Sequence, residues 1–358
     1  MGNGKIKVAI IGLGRIGSLL EEDALREKPC THAGAVAANE DCELTAGCDI
    51  DQERRRLFAE KWGLSKDTPQ NANNNIKAVY SDAQEMIRIH KPQILIIATH
   101  PDSHCHYCCI ASDMKVPVII CEKPLSDNID NARMIVSLTE KKDGPVIITN
   151  HERRYSKDYI LAKSILKDGR LGDIISVRAV LYFGRERKLI EMLWDDGTHL
   201  ADAVMFLKDS VLIHKRGFGS DMEEKKGTAW LEGELRLALR NSLQQSPVPG
   251  SKSPIPVIFE IGAGRDHLVF EIDFSCENGR LKIGNGIFEV WESAASPYAE
   301  NFRSLKKTGV EFSGSTGYFA NMLKDAAACV KDPKRTPVSG AVDGLRVIEY
   351  LDSVKKWK

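Results

Sequence analysis

The residues most able to do chemistry stand at the ends of apolar runs. Val116 to Cys121 is an apolar run of the kind found in a strand buried on both faces, and it stops abruptly at Glu122, Lys123 and Pro124. An amine there stands where a sheet ends and a cleft can begin. Pro124 has a fixed φ and restricts the residue before it to extended geometry, which helps to hold that amine in place. A second run, Lys7 to Ile11, leads into Gly12-Leu13-Gly14-Arg15-Ile16-Gly17. In a strand-turn-helix setting the first glycine permits the tight turn, the second lets the backbone approach a pyrophosphate, and the third lets helix and strand pack closely. Gly12, Gly14, Arg15, Ile16 and Gly17 therefore read as a dinucleotide cradle.

A third run, Glu43 to Cys48, ends in Asp49. A carboxylate there can accept hydrogen bonds from the adenosine ribose hydroxyls and repels a 2′-phosphate, which favours NAD. Arg54, Arg55 and Arg56 follow closely and can supply phosphate contacts if the loop turns back, so NADP stays open. The alternative for Asp49 is a solvated acid at a strand end. From Gly17 to Asp49 is 32 positions, where roughly 20 are expected. The reading adopted is an insertion from Ser18 to Cys30 that lengthens the first helix until Pro29 breaks it. A second helix then starts behind Thr31 as its cap, and the insertion borders the cofactor mouth.

Apolar runs at Gln93–Ala98 and Pro145–Thr149 complete a series separated by segments of helical character, Gln52–Gly63 and Asn128–Lys142 among them. Strands alternating with helices predict right-handed crossovers and a doubly wound parallel sheet. After Asn150 the rhythm changes. One helical pattern, Tyr155–Leu166, leads into strands that alternate polar with apolar, the mark of an antiparallel sheet covered on one face. Ser220–Gly227 and Asn241–Pro254 read as loops, and Tyr318–Val330 and Ala341–Val354 as closing helices. The expected fold class is an α/β Rossmann domain over residues 1–149, followed by an α+β domain over 150–358 with a large, mostly antiparallel open sheet. The last helix, about 341–356, is placed near the junction.

The totals exclude some functions. Lys plus Arg and Asp plus Glu each number 50 in 358 residues, so no net positive field draws nucleic acid or anionic membrane. No segment approaches the roughly 20 apolar residues of a membrane-spanning helix, and the short run before Gly12 does not read as a secretory signal. Nine cysteines without framework spacing suit reduced thiols, and the cytosol is the expected compartment. His104 to Cys109, "HCHYCC", is rich in soft ligands. Without a second ligand cluster nearby it reads as ordinary helix residues, and no metal is expected.

The glycine turn, "ATHPDSH" (98–104), "CEKPLS" (121–126), "NHERRY" (150–155) and "DDGTHLAD" (195–202) occur in the order, and at about the spacings, of the Gfo/Idh/MocA oxidoreductases. The chain resembles that family over nearly its whole length, down to "TPVSGAVDGLRVIEYLDSV" near the C-terminus. The resemblance implies a nicotinamide enzyme acting on a sugar, sugar derivative or cyclitol, with a second-domain sheet that makes a homodimer or homotetramer. It implies Lys123, Asp195 and His199 as the catalytic set. Thr99, His100, Pro101 and His104 fall where the family packs on the cofactor, joined by Glu122 and Lys123. Asn150, Arg153, Arg154 and Tyr155 should enter the cleft toward the substrate, although the two arginines read equally well as a solvated helix start.

Oxidising a secondary alcohol needs a proton acceptor within hydrogen-bond reach and a cation where alkoxide charge develops. His199 suits the first role near neutral pH and Lys123 the second, with the division of the proton between them open. On a single helix Asp195 and His199 would stand four apart on one face. Two other functions share these features: an NAD-dependent glycosidase of the same family and a non-catalytic nucleotide sensor.

Overall fold

The structure, a computed structural model, describes residues 4–65, 77–184, 187–237 and 253–355. Residues 241–252, part of an expected loop, lie outside the described residues. Contacts divide the chain into two compact units, Met1–Ser156 with Ser315–Leu345, and Lys157–Gly314 with Arg346–Lys358.

In the first unit strands and helices alternate: β1 (Ile6–Ile11), α1 (His32–Ala37), β2 (Cys42–Cys48), α2 (Gln52–Trp62), β3 (Ala78–Tyr80), α3 (Ala83–His90), β4 (Ile94–Ile97), α4 (Pro101–Asp113), β5 (Val118–Cys121), α5 (Ile129–Thr139) and β6 (Val146–Thr149). All six strands are parallel in the order β3-β2-β1-β4-β5-β6. The reversal at β1 and β4 makes the crevice at their carboxyl ends the ligand position of such a sheet. Local chemistry sets the helix starts, since the side chains of Asp51, Asp82 and Asn128 accept N–H groups of the first turns of α2, α3 and α5. β4 and β5 are buried along their whole length, as their unbroken apolar runs require.

The second unit holds α6 (Lys157–Lys167), β7 (Ile174–Tyr182), α7 (Leu189–Asp195), α8 (Gly197–Lys208), β8 (Ser210–Gly219), β9 (Gly227–Leu237), β10 (Ile255–Ala263), β11 (Val269–Cys276), β12 (Gly279–Gly284), β13 (Ile287–Ala295) and β14 (Arg303–Lys307). Its eight strands run β14-β13-β12-β11-β7-β10-β9-β8. β10 and β7 pair in parallel, and the other neighbours pair antiparallel. Ser220–Gly227 is the turn between β8 and β9.

Two helices close the chain, α9 (Tyr318–Lys331) and α10 (Ala341–Lys355). The sequence reading put both in the second domain. Instead α9 packs in the first unit, where Phe319, Met322, Leu323 and Ala326 join the core of Val8, Ile96 and Ile120. Its apolar face had to be buried somewhere, and the parallel sheet supplies the partner surface. α10 gives its first residues to the first unit and the rest to the second.

One buried pair in the first unit carries a pH prediction. Tyr80 Oη lies 2.8 Å from His90 Nε2, and His90 Nδ1 has no hydrogen-bond partner among the described residues. Burial, with a smaller contribution from the Lys7 charge, pushes the imidazole down to about 4. The unfolded chain takes up this proton near pH 6.5, whereas the folded chain resists it until about pH 4, so the associated stability is complete above the first value and lost on acidification through that window. We expect the urea midpoint of the first unit to fall between these pH values, by an amount worth roughly 3 kcal/mol at most. In His90→Gln that part of the pH dependence should vanish.

Candidate functional site

The glycine turn is built as its spacing predicts, with each glycine doing a different job. Gly12 sits at φ +91°, and a Cβ there would lie 2.5 Å from Ala98 O. A Cβ on Gly17 would lie 2.1 Å from Gly12 O. Both positions exclude a side chain. Gly14 meets nothing closer than Arg54 Nη1 at 3.8 Å and opens onto a cleft of about 490 Å³. Ile11, Gly12, Gly14, Arg15, Ile16, Asp49, Ile50, Arg54, Thr99, His100 and Ser103 line this cleft. A cradle closed by backbone on two sides and open at the middle glycine fits a pyrophosphate.

At the far end Asp49 accepts from Leu13 N and Asp51 N, each at 2.9 Å. Arg54 Nη1 stands 3.7 Å from the same carboxylate. Of the three arginines, Arg54 lines the cleft. Arg55 donates to the carbonyls of Asp49 and Ile50, and Arg56 pairs with Glu53 and Glu60.

The long spacing before Asp49 has a different origin from the one expected. No lengthened helix follows the turn. Residues 15–18 form turns, Leu19–Glu22 is a short 3-10 segment, and the chain loops out before α1 begins behind Thr31, whose side chain accepts from Gly34 N as the cap. His32 N then donates to Ile16 O at 3.1 Å and Ala33 N to Gly17 O at 3.0 Å. α1 thus takes up the carbonyls that the turn left open, and residues 18–31 are an excursion from one interrupted helix. Without them the separation from Gly17 to Asp49 returns to about the 20 of the ordinary motif. The excursion is fastened at its end, where the Glu27 carboxylate accepts from Thr316 N at 2.9 Å, Gly317 N at 2.9 Å and Ser315 Oγ, at the start of α9.

Lys123 follows β5, as the abrupt end of the apolar run implies. Its peptide bond to Pro124 is cis. Its own N–H donates to Glu122 Oε2 at 3.2 Å, and Glu122 Oε1 accepts from Asn150 Nδ2 at 2.6 Å and meets His32 Nε2 at 2.7 Å. Burial opposes the charge on Glu122, but hydrogen bonds from His32 and Asn150, with the positive charges of His32 and Lys123, outweigh it and hold the carboxyl below the usual glutamate range. Glu152, in the 3-10 turn after β6, goes the other way. Burial pushes its carboxyl up, with Glu122 adding to the effect while Arg153 and Lys123 oppose it.

Several predicted site residues have other work. His104 is fully buried on α4, with Nδ1 and Nε2 each 3.1 Å from the carbonyls of Pro124 and Thr99, so it joins two loops beneath the cleft instead of lining it. Pro101 starts α4. Arg154 pairs with Asp343 at 3.0 Å, and Tyr155 Oη donates to Asp325 Oδ2 at 3.1 Å. Both are buried and tied to the returning segment 315–345. Asn150 serves Glu122, while Arg153 is partly exposed.

In the second unit Asp195 ends α7 and His199 lies in the first turn of α8, with Asp196 between the helices. The two residues expected on one helix therefore lie on two consecutive helices. Arg187 pairs with both Asp195 and Asp196. Reasoning from sequence missed His32 and Glu152. Only the position of His32 just inside a capped helix could have drawn attention to it.

Residues 6–150 match the profile of the Gfo/Idh/MocA oxidoreductase family, NAD-binding Rossmann fold. Among curated relatives, a myo-inositol 2-dehydrogenase from Thermotoga maritima is 25% identical over 167 residues, which are 47% of this chain and 42% of that protein. The matched stretch is therefore less than half of the relative's length. Among solved structures, a dehydrogenase from Chromobacterium violaceum superposes with a TM-score of 0.72 at 13% identity, covering 98% of this chain and 95% of that one. An oxidoreductase from Agrobacterium radiobacter in complex with NAD+, L-tartaric acid and magnesium gives 0.66 at 16%, covering 97% and 95%. These two are likenesses of fold. Over residues 6–150, its nucleotide-binding part, the chain is thus similar to the NAD-binding Rossmann domain of the Gfo/Idh/MocA oxidoreductases.

Proposed function

We propose that the protein is an NAD-dependent dehydrogenase that oxidises a secondary alcohol, or reduces the matching ketone, of a sugar, sugar derivative or cyclitol. The observation that carries this reading is Lys123, fixed by a buried carboxylate at the carboxyl end of the parallel sheet whose glycine turn fits a pyrophosphate. When bound, the nicotinamide cofactor supplies the hydride acceptor. Lys123 stabilises the developing alkoxide, His199 takes the hydroxyl proton, and Asp195 orients its partners, the roles the family resemblance assigns. Arg153 remains a candidate for substrate anions.

The domain roles belong to the same proposal: the first unit binds the cofactor, and the second selects substrate and associates through its sheet. All nine cysteines are free, which supports a reducing, cytosolic setting. No helix among the described residues is long and apolar enough to cross a membrane.

The test is to follow NAD reduction at 340 nm against a panel of sugars, sugar acids, inositols and nucleotide-sugars. Net NADH formation with one class is the expected result. Substrate turnover without net NADH would favour the glycosidase, and NADH binding with no turnover across the panel would favour the sensor.

A further inference from the structure

We propose that His32 is a positioning residue for Lys123, acting through the Glu122 carboxylate. The inference rests on the reading of Lys123 as a catalytic residue. His32 is 1% exposed, and its ring stands edge-on to Phe319 of α9 with centroids 5.1 Å apart. Its backbone N–H is bound to the glycine turn through Ile16 O, and its Nε2 meets Glu122 Oε1 at 2.7 Å. One buried side chain therefore ties the cofactor turn to the loop that carries the amine.

The chemistry follows from burial. Glu122 is 6% exposed, and a carboxylate in that setting keeps its charge only while donors surround it. His32 and Asn150 share Oε1, leaving Oε2 for the Lys123 N–H. Removing the imidazole leaves an under-satisfied charge in a low dielectric, and the carboxyl then takes up a proton. Protonation removes the negative charge that favours the Lys123 ammonium and weakens the acceptor that fixes the Lys123 backbone. Other charged or titratable groups around Glu122, Lys123 and Glu152 include His104 from α4, Cys121 from β5, Arg153 from the turn after β6, Arg26 from the excursion and Tyr318 from α9. The excursion of residues 18–31 has a function in this view, because the helix resumes after it with His32 as its first residue.

The experiment compares wild type with His32→Ala and His32→Gln, the glutamine amide being able to place an N–H where Nε2 stands. His32→Ala should lower kcat about ten- to hundredfold, as loss of a buried charge-assisted hydrogen bond predicts. KM for NAD and affinity for NADH should change little, and His32→Gln should recover most of kcat. A second readout needs no substrate. After reductive methylation with 13C-formaldehyde, the Lys123 signal, assigned by its absence in Lys123→Arg, should titrate at lower pH in His32→Ala than in wild type. A folded, NADH-binding His32→Ala protein with unchanged kcat and unchanged Lys123 titration would overturn the proposal. So would a kcat loss that glutamine does not restore and that leaves the titration unmoved. If Lys123→Ala itself keeps full turnover, the catalytic reading of Lys123 fails, whereas the titration still decides whether His32 governs the amine.

Discussion

Lys123→Ala is expected to lower kcat by about 10²–10³-fold, the usual cost of removing one group aimed at developing negative charge. The amine leaves a strand end that is rigid on both sides: β5 is fully buried, and Glu122 is held by His32, Asn150 and the Lys123 N–H itself. Truncating the side chain disturbs none of those bonds, so thermal unfolding and NADH fluorescence titration should match wild type. On the proposed reading the amine acts on the reacting alcohol and not on the pyrophosphate, so the loss should appear in kcat and not in cofactor affinity. Lys123→Arg should not restore the rate, since a planar guanidinium neither occupies the same point nor gives up a proton near neutral pH. Turnover of the alanine variant within tenfold of wild type would remove Lys123 from the mechanism.

The second large effect separates two glycines of one motif. Gly17→Ala forces a Cβ to within 2.1 Å of Gly12 O. Gly12 has little room to yield, because its own N–H is bound to Cys48 O at 2.8 Å and the Ala98 carbonyl fills the space where its Cβ would be. The helix turn must move instead. The cost should be about 3 kcal/mol or more, near the upper range for overpacking a tight site. A marked fall in Tm and loss of NADH binding should follow together. Gly14→Ala has only Arg54 nearby and should leave the Tm of the free protein unchanged while weakening NADH severely, because its methyl group projects into the cleft. The two variants must part company in the absence of cofactor. Equal loss of stability in both would mean that the second glycine serves packing and not the ligand.

Much of this architecture was legible from short patterns. Apolar runs marked β1, β2, β4, β5 and β6, and the glycine turn and strand-end Asp49 fell where the fold needs them. β8 was missed because it carries His214, Lys215 and Arg216 in its middle and shifts register there, so it has no clean alternation to read. β3 has only three residues. The excursion was seen as extra length, but its form was wrong, because whether a helix continues or loops out depends on which later N–H groups reach the open carbonyls.

By itself the sequence determined the doubly wound sheet, the cradle for a dinucleotide and the amine at the end of β5. Backbone periodicity and turn sterics encode these features within a few neighbouring residues. Tertiary structure alone decided which side chains serve which partners. His32 meets Glu122 across 90 positions, and Tyr155 is taken by Asp325 across 170. It also decided that α9 completes the nucleotide-binding core and that Asp196 parts the helices of Asp195 and His199. Such choices follow from burial and hydrogen-bond satisfaction between distant segments, which no local pattern records.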